Sequence, residues 1–272
     1  MVDLNKLLPD VIHIAERAGD EILRIYTQET VRVTTKMDTT PVTQADVAAH
    51  DIIVAALRAL TPTIPVISEE DVLPPFVERK TWSYYWLVDP LDGTKDFIAH
   101  TDGFSVNIAL IEGNDAILGV IVSPTEQTCY YAARGLGAYC KPRGGVAKAI
   151  RTRLWPDDLN LIVVVSRLHS DQRLAKFMVD MGDYEVMSMG SARKFCMIAE
   201  GVADFYPRTG RTCEWDTAAG QCLIKEAGGA VVDAEGKPLR YNTKDDVFNP
   251  TFMVTGDLVS LQKRFNFFKN EV

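Results

Sequence analysis

The segment WLVDPLDGTKDF, residues 86–97, sets Asp89, Asp92 and Asp96 beside Gly93 and Thr94, directly after an apolar, strand-like run. Pro, Gly and Asp are ordinary turn residues, so a solvated turn accounts for each of them singly. Their position says more. A buried strand ends here, and Pro90 restrains the turn that follows it. Asp89 and Asp92 can then converge at the strand's C-terminal edge, with the Leu91 carbonyl between them. Three oxygens facing one small volume suit a hard divalent cation such as Mg²⁺, which takes one or two carboxylates per ion alongside phosphate oxygens. Gly93 lets the backbone approach closely, and a helix or tight turn starting at Gly93 and Thr94 would aim free N–H groups at an anion.

Outward from this segment, helix and strand patterns both alternate and cluster. Leu4 to Tyr26 reads as an amphipathic helix, and Thr43 to Leu60 as a second, with Thr43 as N-cap and Asp46 three residues later where an acid completes a capping box. IPVISEED is a short strand ending in Glu69 and Glu70. Ser105 to Cys140 has the short apolar runs and turn residues of an antiparallel meander. LIVVVSR, Leu161 to Arg167, is a second buried strand, followed by a helix near Asp171 to Met181. SARKFCMIAEG and WDTAAGQCLIKEAGG read as helices, the second opened by Asp216 and closed by Gly228 and Gly229. Strands at AVVDA and TFMVT and a helix from Asp257 to Phe268 follow. The expected fold is α/β, a layered α-β-α-β-α sandwich forming a single domain over residues 1–272, its two lobes meeting near 141–158.

The chain of 272 residues carries a formal net charge of −8, which disfavours nonspecific binding along a nucleic-acid backbone. A small phosphorylated ligand remains compatible, provided cations held by the acids answer the repulsion. The five cysteines include no CxxC pair, so neither a complete disulfide framework nor a zinc ribbon is expected, and a reducing cytoplasm fits. The N-terminal stretch reads as a helix rather than a signal peptide, and no apolar run is long enough to span a membrane. LQKRFNFFKN, with basic and aromatic residues interleaved, reads as a terminal helix packing its rings on the core. Weak peripheral contact with the cytoplasmic face of the inner membrane is the alternative. Nothing in the sequence speaks to oligomeric state.

Two chemical readings of the acids compete. DxDGT marks haloacid-dehalogenase-type phosphatases, in which an aspartate is the nucleophile. Here the spacing is DxxDGT, one residue longer, which sets the carboxylates in another mutual geometry. The combination of SEED, WLVDPLDGTKDF and WDTAAG, with PVTQAD upstream, instead resembles the lithium-sensitive, magnesium-dependent sugar and nucleotide phosphatases of the inositol monophosphatase superfamily. Within it, PVTQADVAAHDIIVAALRAL, SRLHSD and GSARKFCMIAEG look most like the bacterial 3'(2'),5'-bisphosphate nucleotidases of sulfur assimilation.

That resemblance implies a phosphomonoester hydrolase using two or three Mg²⁺ ions. Its ligands would be Glu69, Asp89, the Leu91 carbonyl, Asp92 and Asp216, with Glu70 beside them as a further candidate at the catalytic centre. Asp46 and Thr94 would orient and deprotonate the attacking water. Gly93 and Thr94 would hold a phosphoryl oxygen, while His169, Ser191, Lys194 and Arg208 would face the nucleoside and its second phosphate. The implied reaction converts 3'-phosphoadenosine 5'-phosphate to AMP and phosphate. An inositol or histidinol monophosphatase with the same metal site is the alternative. Ala192 and Arg193 depart from the Ser-Leu pair common in such nucleotidases.

Overall fold

A computed structural model of the chain describes residues 2–28, 33–35, 41–155, 161–167 and 183–264. Helix α1 (Leu4–Tyr26) starts at Asp3, whose side chain accepts from Lys6 N. Helix α2 (Gln44–Leu60) starts at the expected capping box, in which Thr43 and Asp46 satisfy each other's backbone donors. Their apolar stripes, among them Val11, Ala18, Ile22, Ala49, Ile53 and Leu57, lie on one face of a seven-stranded sheet against Trp86, Val88, Val106 and Ile108.

That sheet has the order β3-β4-β5-β6-β7-β8-β9. Its strands are β3 (Val66–Ser68), β4 (Tyr84–Asp92), β5 (Ser105–Glu112), β6 (Asp115–Ser123), β7 (Thr128–Ala133), β8 (Gly137–Pro142) and β9 (Lys148–Ile150). β3 runs parallel to β4, and the remaining neighbours pair antiparallel as the meander pattern predicts. β1 (Val33–Thr35) and β2 (Pro41–Thr43) form a separate two-stranded ribbon, and the short α3 (Phe76–Arg79) precedes β4.

A second sheet of five strands has the order β11-β10-β12-β14-β13. It comprises β10 (Leu161–Ser166), β11 (Tyr184–Met189), β12 (Phe205–Arg208), β13 (Ala230–Asp233) and β14 (Phe252–Thr255). Between the two sheets lie α5 (Arg193–Ala199) and α6 (Ala218–Ala227), in a core that joins Leu87, Ile121 and Tyr130 to Phe195, Leu223, Phe252 and Val254. A β-carbon at Gly119 of β6 would sit 2.4 Å from the Ala219 carbonyl, so glycine is what lets α6 settle onto that sheet. On the far side, Leu261 of α7 (Leu258–Arg264) packs with Trp155, Leu161, Phe205 and Met253. The layers are therefore helix, sheet, helix, sheet, helix, the architecture anticipated from the sequence.

Some details differ. The weakly patterned segment 141–158 contains β9, whose three residues extend the first sheet, and YEVMSM and FYPR are strands rather than connecting chain. WDTAAG opens with a separate 3-10 turn at Glu214–Asp216 before α6 begins at Ala218. The helix expected near residues 171–181 and the terminal residues 265–272 lie outside the described residues. No described helix is long and apolar enough to cross a membrane.

Candidate active site

β4 ends in a β-bulge. Asp89 pairs with Asn107 and Asp92 with Ser105, so three steps along β4 answer two along β5. In a regular strand residues three apart face opposite sides, and the extra residue of a bulge cancels that alternation. Pro90, which has no N–H to give the ladder, sits inside the bulge. Both carboxylates consequently line one cavity, together with Leu91. Asp89 Oδ1 accepts from Leu91 N at 3.1 Å, and Asp92 Oδ2 accepts from Asn107 Nδ2 at 3.4 Å.

The other acids arrive from separate elements. Glu69 follows β3, tied to β4 by its N–H to the Val88 carbonyl at 3.1 Å. Asp216 closes the 3-10 turn, its Oδ2 accepting from Cys213 N at 2.7 Å. One carboxylate oxygen each from Glu69, Asp89 and Asp216 lie within 4.8 Å of one another. Like charges at that spacing in a partly buried site oppose each other's ionisation. Burial first, then the charges of Glu69, Asp92 and Asp216, push the Asp89 carboxyl well above its ordinary range. Asp216 is raised in the same way by burial and by Asp92 and Glu69. Burial also raises Asp92, partly offset by the nearby Lys194 charge. An all-oxygen donor set that repels itself without a counter-charge fits one or more hard divalent cations.

Behind this cluster Asp46 is almost fully buried. Its Oδ2 accepts from Thr43 N at 2.8 Å and Thr43 Oγ1 at 2.6 Å, while Oδ1 accepts from Thr94 Oγ1 at 3.1 Å. Burial raises its pKa despite those hydrogen bonds. Thr94 opens the five-residue α4 (Thr94–Ile98), and Gly93 before it holds φ 93°, a left-handed conformation that glycine adopts freely. A β-carbon there would meet the Gly103 carbonyl at 2.6 Å. Glu70 is half-buried next to Glu69 but is not among the residues lining the cavity.

The opposite wall, contributed by the second sheet and α5, is basic. Lys194 is buried, donating to the carbonyls of Ser191 at 2.6 Å and Met189 at 3.3 Å, and burial lowers its pKa to about 8. Arg208 donates to Ser166 Oγ at 2.6 Å and to the carbonyls of Gly210 and Arg211. Ser191 lines the same cavity in a left-handed conformation, φ 48°. His169 lies outside the described residues. Three cations that sequence reasoning passed over, Lys95, Arg167 and Arg211, also line the cavity. Arg167 pairs with Asp96 at 3.1 Å, which gives the third acid of the opening segment a role: it joins α4 to the end of β10. SRLHSD carried the signal for Arg167. Arg211, outside every motif, had none.

One cavity of about 290 Å³ between the sheets is thus acidic on one side and basic on the other. An acidic wall suited to divalent cations, facing a basic wall, can hold a ligand with two separated anionic groups. The sequence model of the inositol monophosphatase family matches residues 3–263. The chain belongs to that family. Members of the inositol monophosphatase family depend on a metal ion, generally Mg²⁺. The CysQ of Salmonella typhimurium, named a 3'(2'),5'-bisphosphate nucleotidase, is 46% identical over 92% of this chain and 99% of its own length. The protein of that name in Haemophilus influenzae is 39% identical over 94% of this chain and 96% of its own. In structure, CysQ from Bacteroides thetaiotaomicron superposes with a TM-score of 0.80 at 37% identity, over 92% of this chain and 97% of that one.

Proposed function

We propose that this member of the inositol monophosphatase family is a Mg²⁺-dependent 3'(2'),5'-bisphosphate nucleotidase, releasing the 3'-phosphate of 3'-phosphoadenosine 5'-phosphate to give AMP, a step that serves sulfur assimilation. The observation that carries the reading is the two-faced cavity, with Glu69, Asp89, Asp92 and Asp216 opposite Lys194 and Arg208. The two relatives described above carry that activity in their names. The two lobes, meeting near 141–158, act as one domain, because the cavity takes residues from both sheets.

Glu69, Asp89, the Leu91 carbonyl, Asp92 and Asp216 would hold two or three Mg²⁺ ions. When bound, Mg²⁺ there supplies positive charge to the phosphoryl oxygens and the leaving oxygen and acidifies water. The chain's own residues do the rest. With its hydrogen donated to Asp46 Oδ1, Thr94 Oγ1 keeps its lone pairs for a hydrogen bond from the attacking water. The proton passes through Thr94 to Asp46, whose raised pKa makes it a better base than a surface carboxylate. The N–H groups of Gly93 and Thr94 hold a phosphoryl oxygen. Lys194 and Arg208 bring positive charge to the 5'-phosphate, while Ser191 flanks the nucleoside. No protein nucleophile is required.

An inositol or histidinol phosphate has a single anionic group and leaves the basic wall unanswered. Phosphate release from 3'-phosphoadenosine 5'-phosphate and from inositol 1-phosphate, each with and without Mg²⁺, tests the proposal. A higher kcat/KM for the bisphosphate, lost on removing Mg²⁺, is expected. Inositol 1-phosphate as the better substrate refutes it.

A further inference from the structure

Beside the acidic cluster, but outside the cavity, lies a second polar constellation. His50 Nδ1 is 2.9 Å from Ser68 Oγ, and His50 Nε2 is 3.6 Å from an Asp71 oxygen. The other Asp71 oxygen is 3.6 Å from Arg58. Ser, His and Asp in a row suggest nucleophilic catalysis. The burial excludes it: Ser68 is 2% exposed and does not line the cavity, so no substrate reaches its hydroxyl.

The elements that the constellation joins point to a different role. His50 sits on α2 one turn after Asp46, and Ser68 immediately precedes Glu69. β3 is an edge strand of three residues, held to β4 on one side. The turn after it closes with Asp71 N donating to the Ser68 carbonyl at 3.1 Å. α2 grips that turn at both ends, through His50 to Ser68 and through His50 and Arg58 to Asp71. In the tautomer that carries its proton on Nε2, the nitrogen nearer Asp71, Nδ1 accepts the Ser68 hydroxyl hydrogen.

We infer that His50 is a positioning residue, fixing the β3 end so that the Glu69 carboxylate is held toward Asp89 and Asp216 and raising the cluster's affinity for a divalent cation. The inference rests on the reading of Glu69 as a metal ligand. Outer partners that orient ligating side chains typically set metal affinity by about 10–100-fold. His50 does not line the cavity, so the effect should fall on metal affinity and far less on kcat at saturating metal.

The test is Mn²⁺ binding to the metal-free enzyme, followed by electron paramagnetic resonance without substrate, for wild type, His50→Ala and His50→Asn. Asn places an amide near the position of Nδ1 and restores a partner for Ser68. His50→Ala is expected to bind Mn²⁺ about tenfold or more weakly, with His50→Asn recovering most of the loss and kcat at saturating Mg²⁺ staying near wild type. Unchanged Mn²⁺ affinity in His50→Ala, or equal loss in the Ala and Asn variants, overturns the inference. If His50→Ala does not fold, Ser68→Ala carries the same test: weaker Mn²⁺ binding is expected and unchanged binding overturns it. A wild-type enzyme that binds no Mn²⁺ removes instead the metal reading on which the inference stands.

Discussion

Asp46→Asn separates the chemistry of Asp46 from its structural duty. In the native protein one oxygen caps α2 by accepting from Thr43 N and Thr43 Oγ1, and the other accepts from Thr94 Oγ1 at 3.1 Å. An amide has one acceptor oxygen and one donor nitrogen. Keeping the cap turns its oxygen to Thr43 and its NH₂ to Thr94. Thr94 Oγ1 must then accept, and its hydrogen turns to the Leu91 carbonyl, 3.3 Å away. The path from water to base is cut, while the helix keeps its cap. Loss of a positioned general base costs about 10²–10⁴-fold in kcat. The stability cost should stay within about 1 kcal/mol, which lowers Tm by roughly 2–4 °C for a chain of this size. Phosphate release from 3'-phosphoadenosine 5'-phosphate at saturating Mg²⁺, beside a melting curve, measures both. A variant whose kcat stays within about tenfold of wild type would contradict the proton path, since that lies below the range for general-base catalysis.

Asp89→Asn should abolish turnover while leaving the fold. Because burial and neighbouring charge raise the folded-state pKa of Asp89, its contribution to stability is present below the ordinary carboxylate pKa and is lost as pH rises through the raised value. In EDTA, Asp89→Asn should therefore melt above wild type by a margin that grows from about pH 4 upward. Saturating Mg²⁺ should abolish or reverse that margin, and a margin independent of pH refutes the assignment. Lys194→Met should lower kcat/KM for the bisphosphate by about 10–100-fold, the worth of a charge-assisted hydrogen bond, and change that for inositol 1-phosphate little; equal losses on both substrates would mean that Lys194 serves the fold alone. Gly93→Ala forces a β-carbon into the Gly103 carbonyl at a positive φ, and should cost at least ~1–2 kcal/mol as well as activity, readable in urea unfolding. An unaffected midpoint would show that the loop adapts.

The chemistry of residues 86–97 was legible because strand, Pro and acids occur together in eleven steps of chain, and the capping box at Thr43 and Asp46 because its spacing is local. The bulge that turns Asp89 and Asp92 to one side was not, since it depends on how β4 pairs with β5. The strands at 148–150, 184–189 and 205–208 escaped for a similar reason. β9 and β12 are too short to show a period, and both neighbours of β12, β10 and β14, are remote in sequence. The basic wall was half legible: Lys194 and Arg208 sit in recognisable motifs, whereas Arg211 reaches the cavity only through the folding of the second sheet. His50 stood in plain view within α2, but its partners Ser68 and Asp71 are brought to it by tertiary packing.

The central claim is that acids from three separate stretches of chain bind a divalent cation together. A crystal of the protein soaked in Mn²⁺ and measured at the manganese absorption edge tests it directly. Anomalous density bounded by carboxylate oxygens of Glu69, Asp89 and Asp216 is the expected result. Density confined to other places, or none at a concentration that supports full activity, contradicts it.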